Sequence, residues 1–475
     1  MGSLDLTGSG NIYRWFAAAV LLLALPLGFA IARSPLLASA MLAVALVGVA
    51  CAVWPRFEVL MLGAYLLLQD PIQILVGGDT PAALAFKRAD EFIILAVAAV
   101  ALLGFATRKT LAHRHVLLTM IACVLPMLVS TAIQGRHWLP AGIDLVLVCK
   151  PFLLFVIGAS IALDETHLEP LVRRLCWILT AILSLAFIFL AFPELQYQYL
   201  GSLDRVEERM GLRAAQGWFI GTSSYAWLAV ATFCFSYASY LSYRRPAHLV
   251  QAVFSALCVT LTWRRKSMLA VAVILLLPLF VSRVRQTRWR VVLLGGLAII
   301  VLSTLLAPYV SALTKQTVDE YGSDDPFATG RSALYYTSGR IAWDHFPLGT
   351  GLASFGSHAS RMYYSDVYHQ YGLSKMYGLS QASPYFIADT YWPMLLGQGG
   401  VISALAFFIL LSIIGVVAAR HLMRSGRDLW MPLVVLLLVA GSLVESVASH
   451  FYGSSLQAAT VFVVAGLYWR ERATR

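Results

Sequence analysis

Charged residues are scarce in this chain, since Asp, Glu, Lys and Arg together make up only 12% of its 475 residues. An ordinary soluble domain carries about a quarter of such residues. This shortage, combined with 59% hydrophobic residues, excludes a soluble globular protein. Acidic residues are the scarcer sign, with 24 Asp and Glu against 35 Lys and Arg. The composition therefore predicts an integral membrane protein with a net positive charge.

Cysteine is also sparse, and the sequence contains no CxxC motif and no Cys/His cluster. The six cysteines lie in or at the edge of apolar segments. Neither a disulfide framework nor a zinc site is indicated by this pattern, and we expect no metal or cofactor. The sequence also lacks Gly/Ser-rich linkers, low-complexity tracts and repeats. We therefore expect a single membrane domain with an embedded loop.

Long apolar runs dominate what is present. Runs of about twenty residues are long enough to cross a hydrocarbon layer of about 30 Å as helices. The candidate spans are 15–32, 35–54, 58–76, 91–107, 115–133, 141–163, 171–192, 219–242, 248–263, 267–283, 291–310, 391–419, 429–448 and 455–469. Two of these spans, 35–54 and 455–469, are ambiguous. The sequence therefore predicts an all-α polytopic membrane protein with about 12 to 14 transmembrane helices.

The distribution of Lys and Arg predicts the orientation of these spans. With the N-terminus inside, the inner segments carry Arg108, Lys109, Arg114, Arg173, Arg174, Arg244, Arg245, Arg283, Arg285, Arg288, Arg290, Arg420, Arg424, Arg427, Arg470, Arg472 and Arg475. Cationic residues gather on the cytoplasmic side of membrane spans. Both termini are therefore expected in the cytoplasm. The net charge of +11 reflects orientation and contact with anionic lipids, and it requires no nucleic acid partner.

One long segment interrupts the apolar pattern and divides the chain into three parts. Residues 1–310 form a bundle of spans, 311–390 form a long outer loop, and 391–475 return to the same bundle. A connector of this length is too long to be structureless, so we expect a folded loop that carries part of a functional site. Within it, Arg331 to Phe346 is predicted to be a helix that stops at Pro347. Arg340 and Asp344 lie one turn apart there and are candidates for an ion pair.

A basic triplet, Arg264-Arg265-Lys266, lies between two spans on the outer side of this topology. Its position opposes the usual bias of positive charge toward the inside. The simplest reason for keeping such a triplet outside is a bound anion such as a lipid phosphate. The alternative for any one member is that its side chain extends to lipid headgroups.

The long outer loop is rich in aromatic residues interleaved with charged ones. The aromatic residues are Tyr363, Tyr364, Tyr368, Tyr371, Tyr377, Tyr385, Phe386, Tyr391 and Trp392, and the charged or titratable ones are Arg361, Asp366, His369 and Lys375. Aromatic planes next to polar groups suit a sugar, whose C–H faces stack while its hydroxyls find polar partners. The alternative is that these rings form an interfacial belt or the core of the loop itself.

Four segments, taken in order, resemble a known family. They are RAAQGWFIGTSSYAW from Arg213, TWRRKSM around the triplet, SGRIAWDHFPLGTGLASFG, and ADTYWPMLLGQGGVIS, which enters a span. Their order and placement resemble the O-antigen ligase and Wzy-type polysaccharide polymerase superfamily, and most of all its exopolysaccharide polymerase branch. The resemblance covers roughly residues 80 to 450.

This resemblance implies a GT-C-like glycosyltransferase at the periplasmic face of the bacterial inner membrane. Its donor would be an oligosaccharide on undecaprenyl pyrophosphate, and its acceptor another glycan, with inversion and without a metal. Membrane lipids, a chain-length regulator and export proteins are the further partners it implies. The alternatives are an O-antigen ligase that transfers the glycan to lipid A core, and a polysaccharide transporter or flippase.

Residue by residue, Arg213 matches the arginine that follows the family's long outer segment, and Arg264 or Arg265 matches the later basic position. The chain departs from the pattern at the proposed base, because Asp389 and Thr390 occupy the positions of a His-Asn pair, with the closing glycine at Gly400. Asp389 is therefore the candidate base, and its alternative is the N-cap of the following helix.

The predicted site has two groups of residues. The catalytic candidates are Asp389, Arg213 and Arg265. The substrate-binding candidates are Arg264, Lys266, Arg340, Arg361, His358, His369, Tyr363, Tyr364, Trp392, Lys150 and Arg88. Among these, His358 and His369 are alternative bases, and Lys150 is included because ionisable groups inside a span usually face a cavity.

Overall fold

The computed structural model describes most of the chain and is built almost entirely of helices. The residues that it describes are 55–75, 80, 89–99, 101–102, 114–161, 168–201, 206–209, 211–280, 325–424 and 429–474. The helices are α1 Pro55–Leu75, α2 Arg114–Ile133, α3 Trp138–Ser160, α4 Leu168–Ala191, α5 Pro193–Leu200, α6 Thr222–Tyr243, α7 Pro246–Thr260, α8 Arg265–Leu276, α9 Gly330–Asp344, α10 His358–Met362, α11 Val367–Gln370, α12 Trp392–Arg424, α13 Trp430–Ser446 and α14 Ser455–Thr474. Two short strands, β1 Glu208–Arg209 and β2 Leu212–Arg213, pair antiparallel. The prediction of an all-α protein is confirmed.

Several described helices have the length and composition of membrane spans. Four of them, within α2, α3, α4 and α12, are long and apolar enough to cross a membrane, and α7 and α13 are shorter apolar helices. Large apolar side chains also remain exposed on their outer surfaces, including Leu118 and Ile121 on α2 and Trp177 on α4. An apolar exterior around an apolar core is what lipid contact requires. The chain is therefore a membrane protein, as its composition predicts.

The predicted spans correspond closely to the observed helices. The span 58–76 matches α1, and residues 91–99 of the span 91–107 are helical. The spans 115–133, 141–163 and 171–192 match α2 to α4, the spans 219–242, 248–263 and 267–283 match α6 to α8, and the last three match α12 to α14. The spans 15–32, 35–54 and 291–310 lie outside the described residues. The chain divides into two compact units, 1–104 and 105–475, and the basic triplet and the segment 325–391 belong to the second.

Helix α6 lies at the centre of this unit. Seventeen of its 22 residues are buried, and it packs against α4, α7, α8, α13 and α14. Helix α14 lies along α3, where small residues allow close approach. A Cβ atom at Gly158 would lie 2.1 Å from the Val463 carbonyl oxygen, and one at Gly466 would lie 2.2 Å from the Phe155 carbonyl oxygen. Small residues at helix contacts are typical of membrane bundles.

The segment 325–391 is folded around its own core. Its first helix, α9, starts at a capping box, in which Thr329 Oγ1 accepts from the Ser332 amide and Ser332 Oγ accepts from the Thr329 amide, both at 3.1 Å. The buried residues of this core are Ala333, Leu334, Ile341, Phe355, Val367, Tyr368, Leu373, Leu379 and Ile387. The helix predicted at Arg331 to Phe346 is thus observed at Gly330–Asp344, and reciprocal capping explains where it begins.

The Gly349-Thr350-Gly351 stretch inserts its backbone against a break in α12. The Thr350 and Gly351 amides donate to the Gly397 and Gln398 carbonyls, each at 2.9 Å. Gly400 has φ of 70° and ψ of −165°, which interrupts the helix there. A Cβ atom at Gly349 would lie 2.4 Å from the Gly397 carbonyl oxygen. The glycines therefore permit tight backbone packing rather than forming a phosphate loop.

A buried carboxylate secures this junction. Asp144 Oδ2 accepts from the Ala353 amide at 2.8 Å and from Gln398 Nε2 at 2.7 Å. Gln398 Nε2 also donates to the Phe355 carbonyl at 2.9 Å. One amide side chain thereby joins α3, α12 and the 349–356 stretch. Because all of these groups are buried, each needs its hydrogen-bond partner.

We expect Gln398→Leu to destabilise the fold. The substitution keeps the volume but leaves Asp144 and the Phe355 carbonyl without one donor each, which costs roughly 2 to 4 kcal/mol in total. Thermal unfolding of the purified protein, followed by tryptophan fluorescence, measures the loss. Gln134→Leu is the matched control, because Gln134 is exposed at the end of α2. Equal melting temperatures of the two variants would show that the junction does not stabilise the protein.

Candidate functional site

The β1–β2 hairpin places Arg213 beside the turn that carries the basic triplet. The Ala215 amide donates to the Leu261 carbonyl at 2.8 Å, and Trp263 Nε1 donates to the Arg213 carbonyl at 3.3 Å. Trp263 itself has φ of 53°, so the turn adopts a left-handed residue immediately before Arg264. The backbone therefore makes Arg213 and the turn of the triplet direct neighbours.

Arg213 is held by an aromatic residue and remains partly unsatisfied. Its guanidinium lies 4.5 Å from the centroid of the Tyr197 ring and donates through Nη2 to the Tyr197 hydroxyl. Its Nε atom is 3.8 Å from Glu208 Oε1. The Nη1 atom is buried and has no hydrogen-bond partner among the described residues. A buried N–H of this kind requires an acceptor.

Arg264 shows the same feature on the next element. It occupies the N-cap position of α8, and its Nη1 atom donates to Thr222 Oγ1 at 3.1 Å. Its Nε atom is buried, and no described residue accepts a hydrogen bond from it. Arg213 and Arg264, on segments that the Trp263 contact holds together, thus each have one buried donor without an acceptor in the described structure. An anion with several acceptor oxygens suits such donors, and arginine grips phosphate oxygens through paired N–H groups.

Glu207 fixes the position of Arg264 through Thr222. Glu207 accepts from the Thr222 hydroxyl at 2.6 Å and from the Thr222 amide at 3.1 Å. It also accepts from Arg209 Nη2 at 3.0 Å. Burial raises the pKa of the Glu207 carboxyl, but the hydrogen bonds from Thr222 and Arg209 outweigh it and hold that pKa below its ordinary value. Glu207 therefore stays ionised and orients the hydroxyl that Arg264 contacts.

We expect Glu207→Gln to lower stability at neutral pH by about 1 kcal/mol, because charge-assisted hydrogen bonds are weakened at a site that solvent partly screens. Since the folded pKa lies below the ordinary 4.5, the wild type loses this contribution as the pH falls below 4.5, and the variant does not. Melting temperatures at pH 7 and pH 4 measure the effect. Glu208→Gln is the control, since Glu208 is more exposed and lies 3.8 Å from its arginine. An identical pH dependence of wild type and Glu207→Gln would contradict this role.

The third member of the triplet has a different environment. Lys266 Nζ lies 3.5 Å from Glu445 Oε2 and donates to the Ala448 carbonyl at 3.0 Å. The Ser267 hydroxyl donates to the other oxygen of Glu445. Lys266 thus joins the start of α8 to the end of α13. Arg265 begins α8 and is partly exposed. Of the triplet, Arg264 has the geometry that best suits an anion.

Asp389 is paired with an arginine that the sequence analysis did not select. Arg331 Nε lies 2.5 Å from Asp389 Oδ2, and Arg331 is in the first turn of α9. Helix α12 begins at Trp392, so the residue before it is Tyr391. The capping alternative for Asp389 is therefore not observed, and its carboxylate is directed to Arg331.

Charges from five elements converge on this region. Arg264 interacts electrostatically with Glu445, Arg209, Glu207 and Arg331, and Lys266 interacts with Glu445, Arg264, Arg331 and Asp389. We call the set Arg264, Lys266, Arg331, Asp389 and Glu445, together with Arg213 on the adjoining strand β2, the basic cluster. The cluster contains the predicted base Asp389 and three residues predicted to bind the donor, Arg213, Arg264 and Lys266. Arg331 and Glu445 are the members that were not predicted. Dense positive charge with a carboxylate at one side can stabilise a leaving anion and accept a proton.

Several predicted binding residues have structural roles instead. Arg340 and Asp344 are not ion-paired with each other. The Tyr371 hydroxyl donates to Asp344 Oδ2 at 2.9 Å, and the Arg340 guanidinium lies 5.6 Å from the centroid of the Tyr371 ring. Burial and this Asp344 contact raise the pKa of Tyr371 to about 12. Tyr371 thus separates two residues that spacing alone would pair.

Two predicted aromatic residues take part in packing. The Tyr364 hydroxyl donates to the Leu379 carbonyl at 2.9 Å, and its ring stacks on Tyr368 at 5.3 Å between centroids. Trp392 Nε1 donates to Ser446 Oγ at 3.0 Å. These contacts agree with the alternative that the rings form the core of the loop. Arg361, Tyr363 and His369 are exposed on the 325–391 segment, and Arg88 lies outside the described residues.

Lys150 lies in a second polar group, next to the start of α14. Its Nζ atom donates to the Gly453 carbonyl at 3.2 Å and to Ser455 Oγ at 3.0 Å. His450 is nearby, where burial and the charges of Lys150 and His358 lower its pKa to about 4 despite a hydrogen bond to the Thr390 backbone. His358 and Lys150 are thus associated with His450 rather than with the basic cluster.

Sequence reasoning missed Arg331, Glu445, Glu207 and His450 as site residues. Arg331 follows a glycine at a predicted helix start, which marks the helix but not the partner of its guanidinium. Glu445 lies in a predicted span, where an ionisable residue indicates a functional role. Its position was therefore a reason to select it from the sequence. Among the described residues, no group of three or more His, Cys, Asp and Glu could hold a metal ion.

Comparison with protein-family models and with curated proteins gives no match to this chain. No protein-family model matches this sequence. No curated protein gives a significant match to it. The basic cluster is therefore interpreted from its own geometry.

Proposed function

We propose that this protein is a glycosyltransferase that uses a glycan on a polyprenyl pyrophosphate, such as undecaprenyl pyrophosphate, as its donor. The observation that carries the proposal is that Arg213 and Arg264, on segments joined by the hydrogen bond from Trp263 to the Arg213 carbonyl, each have one buried donor atom from which no described residue accepts a hydrogen bond. A pyrophosphate offers several acceptor oxygens to such a pair. The resemblance of four sequence segments to polysaccharide polymerases and ligases points to the same donor.

In this proposal, an acceptor hydroxyl attacks the anomeric carbon of the donor glycan. The new C–O bond forms as the bond from that carbon to the pyrophosphate oxygen breaks, and the bonding electrons leave with the pyrophosphate. Arg264 and Arg213 stabilise the charge that accumulates there. Asp389 accepts the hydroxyl proton, and its pairing with Arg331 at 2.5 Å holds it in place. Attack opposite the leaving group inverts the configuration.

The reaction is assigned to the periplasmic face of the bacterial inner membrane, with both termini in the cytoplasm. This assignment rests on the distribution of Lys and Arg, which places the triplet and the 311–390 loop on the same outer side. The product is proposed to be a surface polysaccharide or exopolysaccharide built from lipid-linked repeat units. Arg265, Arg361, Tyr363 and His369 stay predictions as substrate contacts.

The test is transfer by the purified protein. Wild-type protein in lipid nanodiscs receives lipid-pyrophosphate-linked repeat units from the native host, and the products are separated by size. A ladder of products supports polymerisation. Transfer that occurs only to an added lipid A core acceptor would identify a ligase. Intact lipid-linked units carried across the bilayer without any covalent product would contradict an enzymatic role.

A further inference from the structure

Three exposed aromatic rings form a group on the 325–391 segment. The side chains of Tyr377, Tyr385 and Phe386 are 74%, 60% and 41% exposed. The Tyr377 ring centroid lies 6.1 Å from that of Tyr385 and 6.3 Å from that of Phe386. We call these three residues the aromatic platform. Large rings left in solvent together are unusual unless they bind something.

The platform is held in a fixed arrangement by its backbone. The Phe386 amide donates to the Gly378 carbonyl at 2.8 Å, and the hydroxyls of Ser380 and Ser383 are 2.8 Å apart. Gly378 has φ of 81°, and a Cβ atom there would lie 2.1 Å from Phe386 Cδ2. The ring is thus seated directly on the backbone of a tight turn. Pre-organised rings lose little freedom when they bind a ligand.

The platform ends at the carboxylate of the basic cluster. The Asp389 amide donates to the Phe386 carbonyl at 3.1 Å, which places the two Cα atoms within about 7 Å in a β-turn. On the other side, Phe386 Cδ2 would contact a Cβ atom at Gly330 at 3.3 Å. Gly330 precedes Arg331, the partner of Asp389. The aromatic surface is therefore continuous with the Asp389–Arg331 pair.

Sugar rings suit this surface. The face of an aromatic ring is negative and its edge positive, so the slightly positive C–H groups on one face of a sugar are attracted to it. Two of the three rings also carry hydroxyls that can hydrogen-bond to a glycan. The core aromatic residues of the same segment, such as Tyr364 and Tyr368, already fulfil the packing role. Among the described residues, Phe386 packs on Gly378 and Gly330, whereas Tyr377 and Tyr385 stay mostly exposed.

We propose that Tyr377, Tyr385 and Phe386 bind the acceptor glycan and present its terminal hydroxyl to Asp389. This inference rests on the proposed function. The acceptor rather than the donor is assigned, because the donor pyrophosphate is placed at Arg213 and Arg264, and Asp389 is the residue that meets the attacking hydroxyl. The glycan lies along the platform with its reacting end toward the Asp389–Arg331 pair.

The double variant Tyr377→Ala/Tyr385→Ala tests this assignment. In a transfer assay with lipid-linked repeat units as donor and a soluble oligosaccharide of the same repeat as added acceptor, we expect its KM for that acceptor to rise 10- to 100-fold, with the KM for the lipid-linked donor unchanged. Trp343→Ala is the control, because Trp343 is 83% exposed on the same helix that starts at Gly330, roughly 20 Å from that end. An unchanged acceptor KM in the double variant, or an equal rise in the control, would overturn the proposal.

A binding measurement separates this inference from the proposed reaction. Full-length protein in nanodiscs is applied to an array of soluble neutral, acidic and N-acetylated oligosaccharides, which carry no lipid pyrophosphate. The wild type and Trp343→Ala are expected to bind at least one class, and the double variant at least tenfold less. Absence of wild-type binding to every class overturns the platform. Absence of transfer despite platform-dependent glycan binding overturns the proposed reaction and leaves the glycan site standing.

Discussion

The Arg264→Ala variant is expected to transfer glycan about 10²- to 10³-fold more slowly than the wild type, as when one donor to a developing anion is removed. Arg264 has a buried Nε atom that has no acceptor in the described part of the chain, and Arg213, on the adjoining strand, has a similar Nη1 atom. The contact strengthens as charge moves onto the departing pyrophosphate. The loss should therefore fall mainly on kcat rather than on KM.

Two further variants make this result specific. Arg264→Lys should restore little activity, because lysine offers a point charge in place of a planar fork of donors. Arg174→Ala should transfer at the wild-type rate, because Arg174 is exposed in α4, on the predicted cytoplasmic side. Rates are measured with folded protein matched by melting temperature. Full activity of Arg264→Ala would remove the basis of the proposed phosphate contact.

The second large effect is expected at the base. Asp389→Asn preserves the shape of the side chain but removes its ability to accept a proton, so transfer should fall by about 10²- to 10⁴-fold. Asp366→Asn is a matched control. Asp366 is also paired with an arginine, Arg136, at 3.5 Å, but its side chain is 79% exposed. Initial rates of both variants are compared with the wild type at saturating donor.

Loss of activity at Asp389 could also follow from a broken ion pair with Arg331. Arg331→Gln separates the two explanations, because it removes the pair but leaves the carboxylate. We expect this variant to retain more activity than Asp389→Asn, because the carboxylate that accepts the proton is still present. Wild-type rates in Asp389→Asn would show that another residue is the base, and His358 and His369 would be the remaining predicted candidates.

Much of the fold could be predicted from the sequence. The boundaries of α2, α3 and α13 follow from apolar runs whose length matches the hydrocarbon layer, a local property of each segment. The helix α9 likewise follows from local signals at Thr329 and Pro347. The break in α12 at Gly400 could not be predicted, because it accompanies hydrogen bonds between α12 and the Gly349–Gly351 backbone, which is distant in the sequence.

The candidate site was predictable in its charged residues but not in their pairing. Charge placement and family resemblance selected Arg213, the triplet and Asp389. Long-range contacts decide which member of the triplet is available to an anion. Lys266, for example, forms an ion pair with Glu445, which is 179 residues away in the sequence. The aromatic residues show the same limit. Ring content suggested sugar binding, but only packing distinguishes the buried Tyr368 from the exposed Tyr377 and Tyr385.

Binding of undecaprenyl pyrophosphate tests the central claim most directly. Purified protein in nanodiscs is titrated with undecaprenyl pyrophosphate and, separately, with undecaprenol, which has the same chain without phosphate. The wild type and Arg174→Ala are expected to bind the pyrophosphate form at least tenfold more tightly, and Arg213→Ala/Arg264→Ala should lose this preference. Equal preference in the double variant and the wild type would contradict a pyrophosphate site at Arg213 and Arg264.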